Sequence, residues 1–97
     1  MGTAAAGSFT AVGAGAAVVV QGSFGFALWG SFVATVTLER QSPDGTAWIP
    51  LSVDNHGTPN AFTVPVALII EEPAGGVAYR VRCSSWTSGV ASWAFDL

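Results

Sequence analysis

The chain has 97 residues, enough for one domain with its own core, and only 9% are charged: three arginines, six Asp and Glu, no lysine, a formal net charge of −3. A typical globular domain is about a quarter charged, so the surface here has to be finished in Ser, Thr, Gly, Ala and some of the four Trp and six Phe. That suits a subunit partly covered by neighbours, whereas a nucleic-acid partner, which calls for clustered Lys and Arg, and an internal disulfide, which a lone Cys83 cannot make, are excluded.

Residues 1–8 are rich in Gly, Ala and Thr and are expected to be a flexible or partner-docked arm, with the domain proper at 9–97. Ala11 to Val20 is the longest apolar stretch. It is half the ~20 residues that cross a bilayer, and Gly13 and Gly15 dilute it, so no membrane segment is expected. No Lys or Arg precedes it, which argues against a secretory signal and for synthesis in a bacterial cytoplasm.

Helix formers are scarce, β-branched and aromatic residues are common, and Gly, Ser and Pro recur every several residues. This spacing predicts an all-β fold, a single antiparallel β-sandwich of jelly-roll or immunoglobulin-like type. From Ser23 the alternation has period two: Phe24, Phe26, Leu28, Phe32, Ala34, Val36 and Leu38 share one parity, and Ser23, Gly25, Ala27, Val33, Thr35, Thr37 and Glu39 the other. The parity survives Gly30, which is read as a bend at a corner of the fold.

Gln41 to Thr46 reads as a tight turn, since Ser-Pro-Asp-Gly supplies a preset φ, a side-chain acceptor and a residue tolerant of positive φ. Ile49, Leu51 and Val53 are expected on one side of the returning strand. Asp54 to Asn60 is expected to be a loop. Phe62, Val64, Val66, Leu68 and Ile70 alternate next, with Pro65 marking an edge strand or an interruption. Glu71 to Gly76 reads as a further turn. Val77, Tyr79, Val81 and Cys83 are placed inward, a Trp86–Gly89 turn follows, and Ala91, Trp93, Phe95 and Leu97 face in from the last strand.

Material for catalysis is thin. His56 beside Asp54 reads as a surface loop histidine, and two metal-capable groups do not make a zinc site. Cys83 alternates with Tyr79 and Val81 and reads as a buried structural thiol. Gly13-Ala-Gly15 lacks the third glycine of a dinucleotide loop. Glu71 and Glu72 are adjacent in an extended segment, so they point to opposite faces and cannot share a substrate; both read as a solvated turn flank. No catalytic, cofactor-binding or metal-binding residue is therefore expected. Ser42 to Trp48 comes within one residue of the Asp-box hairpin of sialidases and other propellers, a turn-forming motif.

Trp29, Trp48 and Trp86 fall on the parity opposite their strands' main apolar sets, whereas Trp93 belongs to the inward set. With Arg80 and Arg82, the only close basic pair, they are the candidate interface residues: contact anchors between proteins or, for the tryptophans, residues of a second sheet face that the chain itself covers, or platforms for sugar rings.

The run Gly22-Ser-Phe-Gly-Phe-Ala-Leu-Trp-Gly-Ser-Phe-Val-Ala-Thr-Val-Thr-Leu-Glu-Arg-Gln-Ser-Pro-Asp-Gly-Thr-Ala-Trp48 resembles a pattern in small structural proteins of tailed bacteriophages, an alternating strand followed by an Asp-Gly turn and a Trp. Glu71 to Gly89, with Tyr79-Arg80, Cys83 and Thr87-Ser88-Gly89, is similar to the close of the same proteins; they usually carry Gly-Gly after the Asp, where this chain has Gly45-Thr46. The resemblance implies a non-enzymatic β-sandwich module of the virion. The expected function is capsid decoration, cementing the head lattice through contacts with the major capsid protein or other virion proteins, as a homo-oligomer with a trimer favoured. The competing expectation is a carbohydrate-binding or adaptor module of a tail or head fibre, with a surface glycan as its ligand.

Overall fold

The computed structural model describes residues 3–52 and 60–97; Val53, Asp54 and His56 lie outside the described residues. Among those described the fold is all-β and antiparallel, without a helix. The strands are β1 (Thr3–Phe9), β2 (Gly13–Ala14), β3 (Val18–Trp29), β4 (Phe32–Gln41), β5 (Trp48–Pro50), β6 (Val66–Gly89) and β7 (Ala91–Asp96). Their ladders join in one path, β1-β7-β3-β6-β4-β5, with β2 also on β6.

The length of β6 dictates the architecture. Its 24 residues would span ~80 Å at about 3.3 Å each, yet the longest dimension of the molecule is 36 Å. The strand therefore bends. The bend falls where the register with β3 jumps: Val20 pairs with Val77 and Gly22 with Glu72, leaving Gln21 opposite the stretch Pro73–Gly76. Pro73, which has no N–H to donate, and Gly76, at φ +74°, suit such a bulge. The sequence reading of 71–76 as a turn between two strands is corrected: the strand runs through.

Before the bend, β6 pairs with Gly22–Leu28 of β3, which also carries β7 and then β1. After it, β6 pairs with β4 on one side and with β2 and the start of β3 on the other. The sheet thereby closes over one core. Val36 and Val81 from one half and Phe95 and Leu28 from the other are at most 1% exposed and belong to a single cluster. Phe24 touches both halves, with ring centroids 4.8 Å from Tyr79 and 6.2 Å from Phe95. The inward parity read for Phe24, Phe26 and Leu28, for Val36 and Leu38, and for Tyr79, Val81, Cys83, Trp93 and Phe95 is what the structure buries.

Two corners lock the halves together. β3 and β4 flank β6 and do not pair with each other, so Gly30–Ser31 is the corner expected from sequence. The second is Gly89–Val90, not the expected Trp86–Gly89 turn, because β6 continues to Gly89. The Val90 N–H donates to the Ser31 carbonyl at 3.0 Å. A Cβ on Gly30 would lie 2.5 Å from the Val90 carbonyl oxygen, and one on Gly89 would overlap that of Ser31.

Other expectations are also revised. The arm expected at 1–8 is, from Thr3, the edge strand β1, paired with β7 from Thr3↔Asp96 to Phe9↔Ala91. Phe9 is its anchor, stacked on Trp93 at 6.2 Å. Leu97, expected inside, is exposed, as are Ile49 and Val64. β5 is a short edge strand whose Trp48 and Pro50 are the half-buried positions, and Pro65 interrupts the chain so that the strand starts only at Val66. The solvent-accessible area is 5238 Å², against about 5,200 Å² expected for a free-standing monomer of this mass. The chain seals its own core.

Gly89→Ala should cost about 3 kcal/mol in urea unfolding, since φ is +84° and the added carbon meets backbone. Gly45→Ala, at φ +76° in open space, should cost only about 1 kcal/mol. Equal losses would show that the corner packing contributes nothing beyond backbone conformation.

Candidate interaction surface

The charged side chains gather where β4, β5 and the bend of β6 meet. Arg40 lies opposite Tyr79 in the β4–β6 ladder, and the bulge swings Glu72 over both. Arg40 Nε donates to Glu72 Oε1 at 2.6 Å, and Tyr79 Oη donates to the same oxygen at 2.9 Å. Glu72 is buried and Glu71 exposed, so the two do point opposite ways, but Glu72 is not the solvated flank read from sequence. Burial first, and then the neighbouring carboxylate, push the Tyr79 phenol up to about 12. The Arg40 guanidinium is raised chiefly by its hydrogen bond to Glu72.

On the opposite side of the same strands a second cluster forms. Glu39, 3% exposed, accepts from Arg80 at 2.8 Å and lies 3.3 Å from Arg82. The Arg80 guanidinium sits 4.5 Å from the Trp48 ring centroid, a cation–π contact. Three of the five candidate interface residues, Trp48, Arg80 and Arg82, are thus brought together, but in an internal ion cluster. Trp86 packs against the core and donates its indole N–H to the Gly89 carbonyl at 3.2 Å. Of the five, Trp29 and Arg82 stand open: the Arg82 side chain is 45% exposed, and Trp29, 48% exposed beside the Gly30 corner, has Ser92 as its cross-strand partner.

The Ser42–Trp48 hairpin behaves as its sequence suggests. Asp44 Oδ1 accepts from Ser42 Oγ at 2.6 Å, from Thr46 Oγ1 at 2.7 Å and from the Thr46 N–H at 3.0 Å, which lowers its carboxyl to about 2. A cleft of about 310 Å³ lies between this turn and the β6 bulge; its only charged lining residue is Arg40, already held by Glu72. Cys83 is buried, donates to the Ser85 carbonyl at 3.2 Å, and is raised by burial, the state of an unreactive thiol. Among the described residues no group of three or more His, Cys, Asp and Glu could hold a metal ion.

Sequence reasoning passed over Asn60, reading it as the end of a polar loop. It is 4% exposed. Its Oδ1 accepts from the Leu38 N–H at 2.8 Å, and its Nδ2 donates to the carbonyls of Leu38 and Leu51 at 2.9 and 2.8 Å. The amide thus stands in for a peptide unit along the free side of β4, between β5 and the Phe62↔Val36 bridge. No composition signal separates such an Asn from a turn Asn.

No protein family, curated protein or solved structure matches the chain.

Asn60→Ala leaves the Leu38 N–H buried without an acceptor and should cost about 2–3 kcal/mol; urea unfolding checks this, and a loss below about 0.5 kcal/mol would show that the amide is replaceable. Tyr79 is the sole tyrosine, so phenolate absorbance reports it alone. It should ionise near 12. Because folding raises this acid, its stabilising effect is complete below about 10 and is lost as pH rises from there through 12. Glu72→Gln should lower the midpoint while leaving it above 10, since burial remains; an unchanged midpoint would detach Glu72 from the phenol.

Proposed function

We propose that this protein is a non-enzymatic structural subunit that works by packing against other proteins, as a capsid-decoration protein of a tailed-phage virion. The observation that carries this reading is the division of its surface. Five of the nine ionic side chains pair within the chain around Glu39 and Glu72, while Trp29, Val33, Ile69 and Val90 stand in solvent. Charged groups cost several kcal/mol to strip of water, so a face made of Ala, Ser, Thr, Gly and Val is the easier one to cover. The halves of the sheet present such faces: Ala6, Ser8 and the half-buried Ser92 share one outer side, and Val33, Thr35, Ser85 and Thr87 line a shallow groove elsewhere.

The virion assignment draws on the two strings that resemble phage structural proteins. Subunit contact is favoured over a sugar platform by the setting of Trp29. A sugar platform rings an open Trp with Asn, Asp or Gln, whereas the ladder and corner around Trp29 supply Ser92, Gly30 and Ser31.

Antibody raised against the purified protein should label the heads of phage particles from its source in electron micrographs. Label absent from particles, with the protein left in the particle-free supernatant, would overturn the assignment.

A further inference from the structure

The sheet path ends at β1 and at β5, and the two edges are treated differently. β5 has three residues and ends in Pro50, and Asn60 and Phe62 occupy the side of β4 beyond it. Short length, proline and covering segments are the ordinary ways of keeping an edge from pairing with a foreign strand. β1 has seven residues and uses none of these. It carries no proline, lysine or carboxylate, and no charged side chain precedes Glu39 anywhere in the sequence.

Part of this plainness has an internal cause. Gly7 faces the Trp93 indole, where a Cβ would lie 2.9 Å from Cζ2, so nothing larger fits. The outward positions have no such cause: Ala6 and Ser8 are exposed, opposite Ala94 and Ser92 of β7. An exposed position on an edge strand is where a guarding lysine costs least, and here there is none.

We infer that β1 is the self-association surface of this protein, pairing antiparallel with β1 of a second copy about a two-fold axis near Ala6, so that two sheets become one. Such a pair matches a row of donors and acceptors with its own reverse; head-to-tail pairing onto β5 would be limited to three residues. Charge selects the same occupant. Both copies carry −3, and they meet at the part of the sequence with no ionic group, keeping the Glu39 and Glu72 clusters out of the contact. A seven-residue edge of small side chains buries less than the ~1,200 Å² of a stable complex, so the pair is weak in dilute solution and fills where copies are crowded together. A two-fold pair takes the place of the trimer expected from sequence. The inference concerns the edge alone and stands whether or not the partner particle is a phage head.

Sedimentation equilibrium of the intact protein from about 10 µM to about 1 mM tests it. The wild type should pass from monomer towards dimer. Ala6→Lys should weaken the dimer about fivefold to tenfold, because like charges then face each other across the axis. A mixture of Ala6→Lys with Ala6→Glu should recover wild-type association. Should Ala6→Lys melt lower than wild type, Ser8→Lys should also weaken the dimer, less strongly, because the two lysines then lie four positions apart along the pair. A monomer throughout the range, a trimer, or a dimer indifferent to these substitutions would overturn the pairing.

Discussion

At the point where β6 turns from one half of the sheet to the other, the Glu72 carboxylate accepts hydrogen bonds from Arg40 of β4 and from Tyr79 farther along β6. The rest of the fold depends on that turn. A strand of 24 residues cannot lie straight in so small a molecule, and only by bending does it serve β3 on one side of the core and β4 on the other. A buried carboxylate is costly unless paired and hydrogen-bonded. Here the carboxylate lies before the bend and both of its partners after it, so the geometry that satisfies the charge is also the geometry that closes the sheet. The corner pair Gly30–Ser31 and Gly89–Val90 holds the far end of the same halves by backbone contact alone.

This arrangement separates ionic from neutral surface. The polar locks require Glu39, Arg40, Glu72, Arg80 and Arg82, all of which sit on β4 and β6. At the other side of the sheet path β1 and β3 carry no charge, and β7 between them carries only Asp96. Association through the neutral side leaves the locks hydrated and intact, so closure of the monomer and contact between subunits do not compete for the same side chains. The scarcity of charge that first marks the sequence therefore has two parts: a few ionic groups retained for internal closure, and an edge left without any.

Much of the core could be read from the chain because alternation is a direct consequence of strand geometry. Phe24 to Leu38, Val77 to Cys83 and Ala91 to Phe95 keep period two and bury the parity that the apolar residues occupy. Gly30 could be read as a corner because parity persisted across it. Other features carry no local signal. β1 is built of Ala, Gly and Ser, which resemble a flexible tail until β7 supplies a partner and Trp93 a floor. Glu72 looks like a turn residue because Pro73 and Gly76 follow it, yet in a bulge the same residues let a strand continue. Asn60 in a polar run differs from a surface turn only by what its amide meets across the fold. Among the candidate interface residues Trp29 remained open, whereas Glu39 pairs with Arg80 and with the still exposed Arg82, and Arg80 lies over Trp48, contacts between positions far apart in sequence.

Residue-resolved amide exchange, followed in dilute solution and again at high protein concentration, compares the two edges within one molecule. The account predicts that outward-directed β1 amides exchange quickly when dilute and become protected on concentration, while those of β5 keep the same rate. Protection that is already complete in the dilute sample, or that rises at β5 and not at β1, would contradict it.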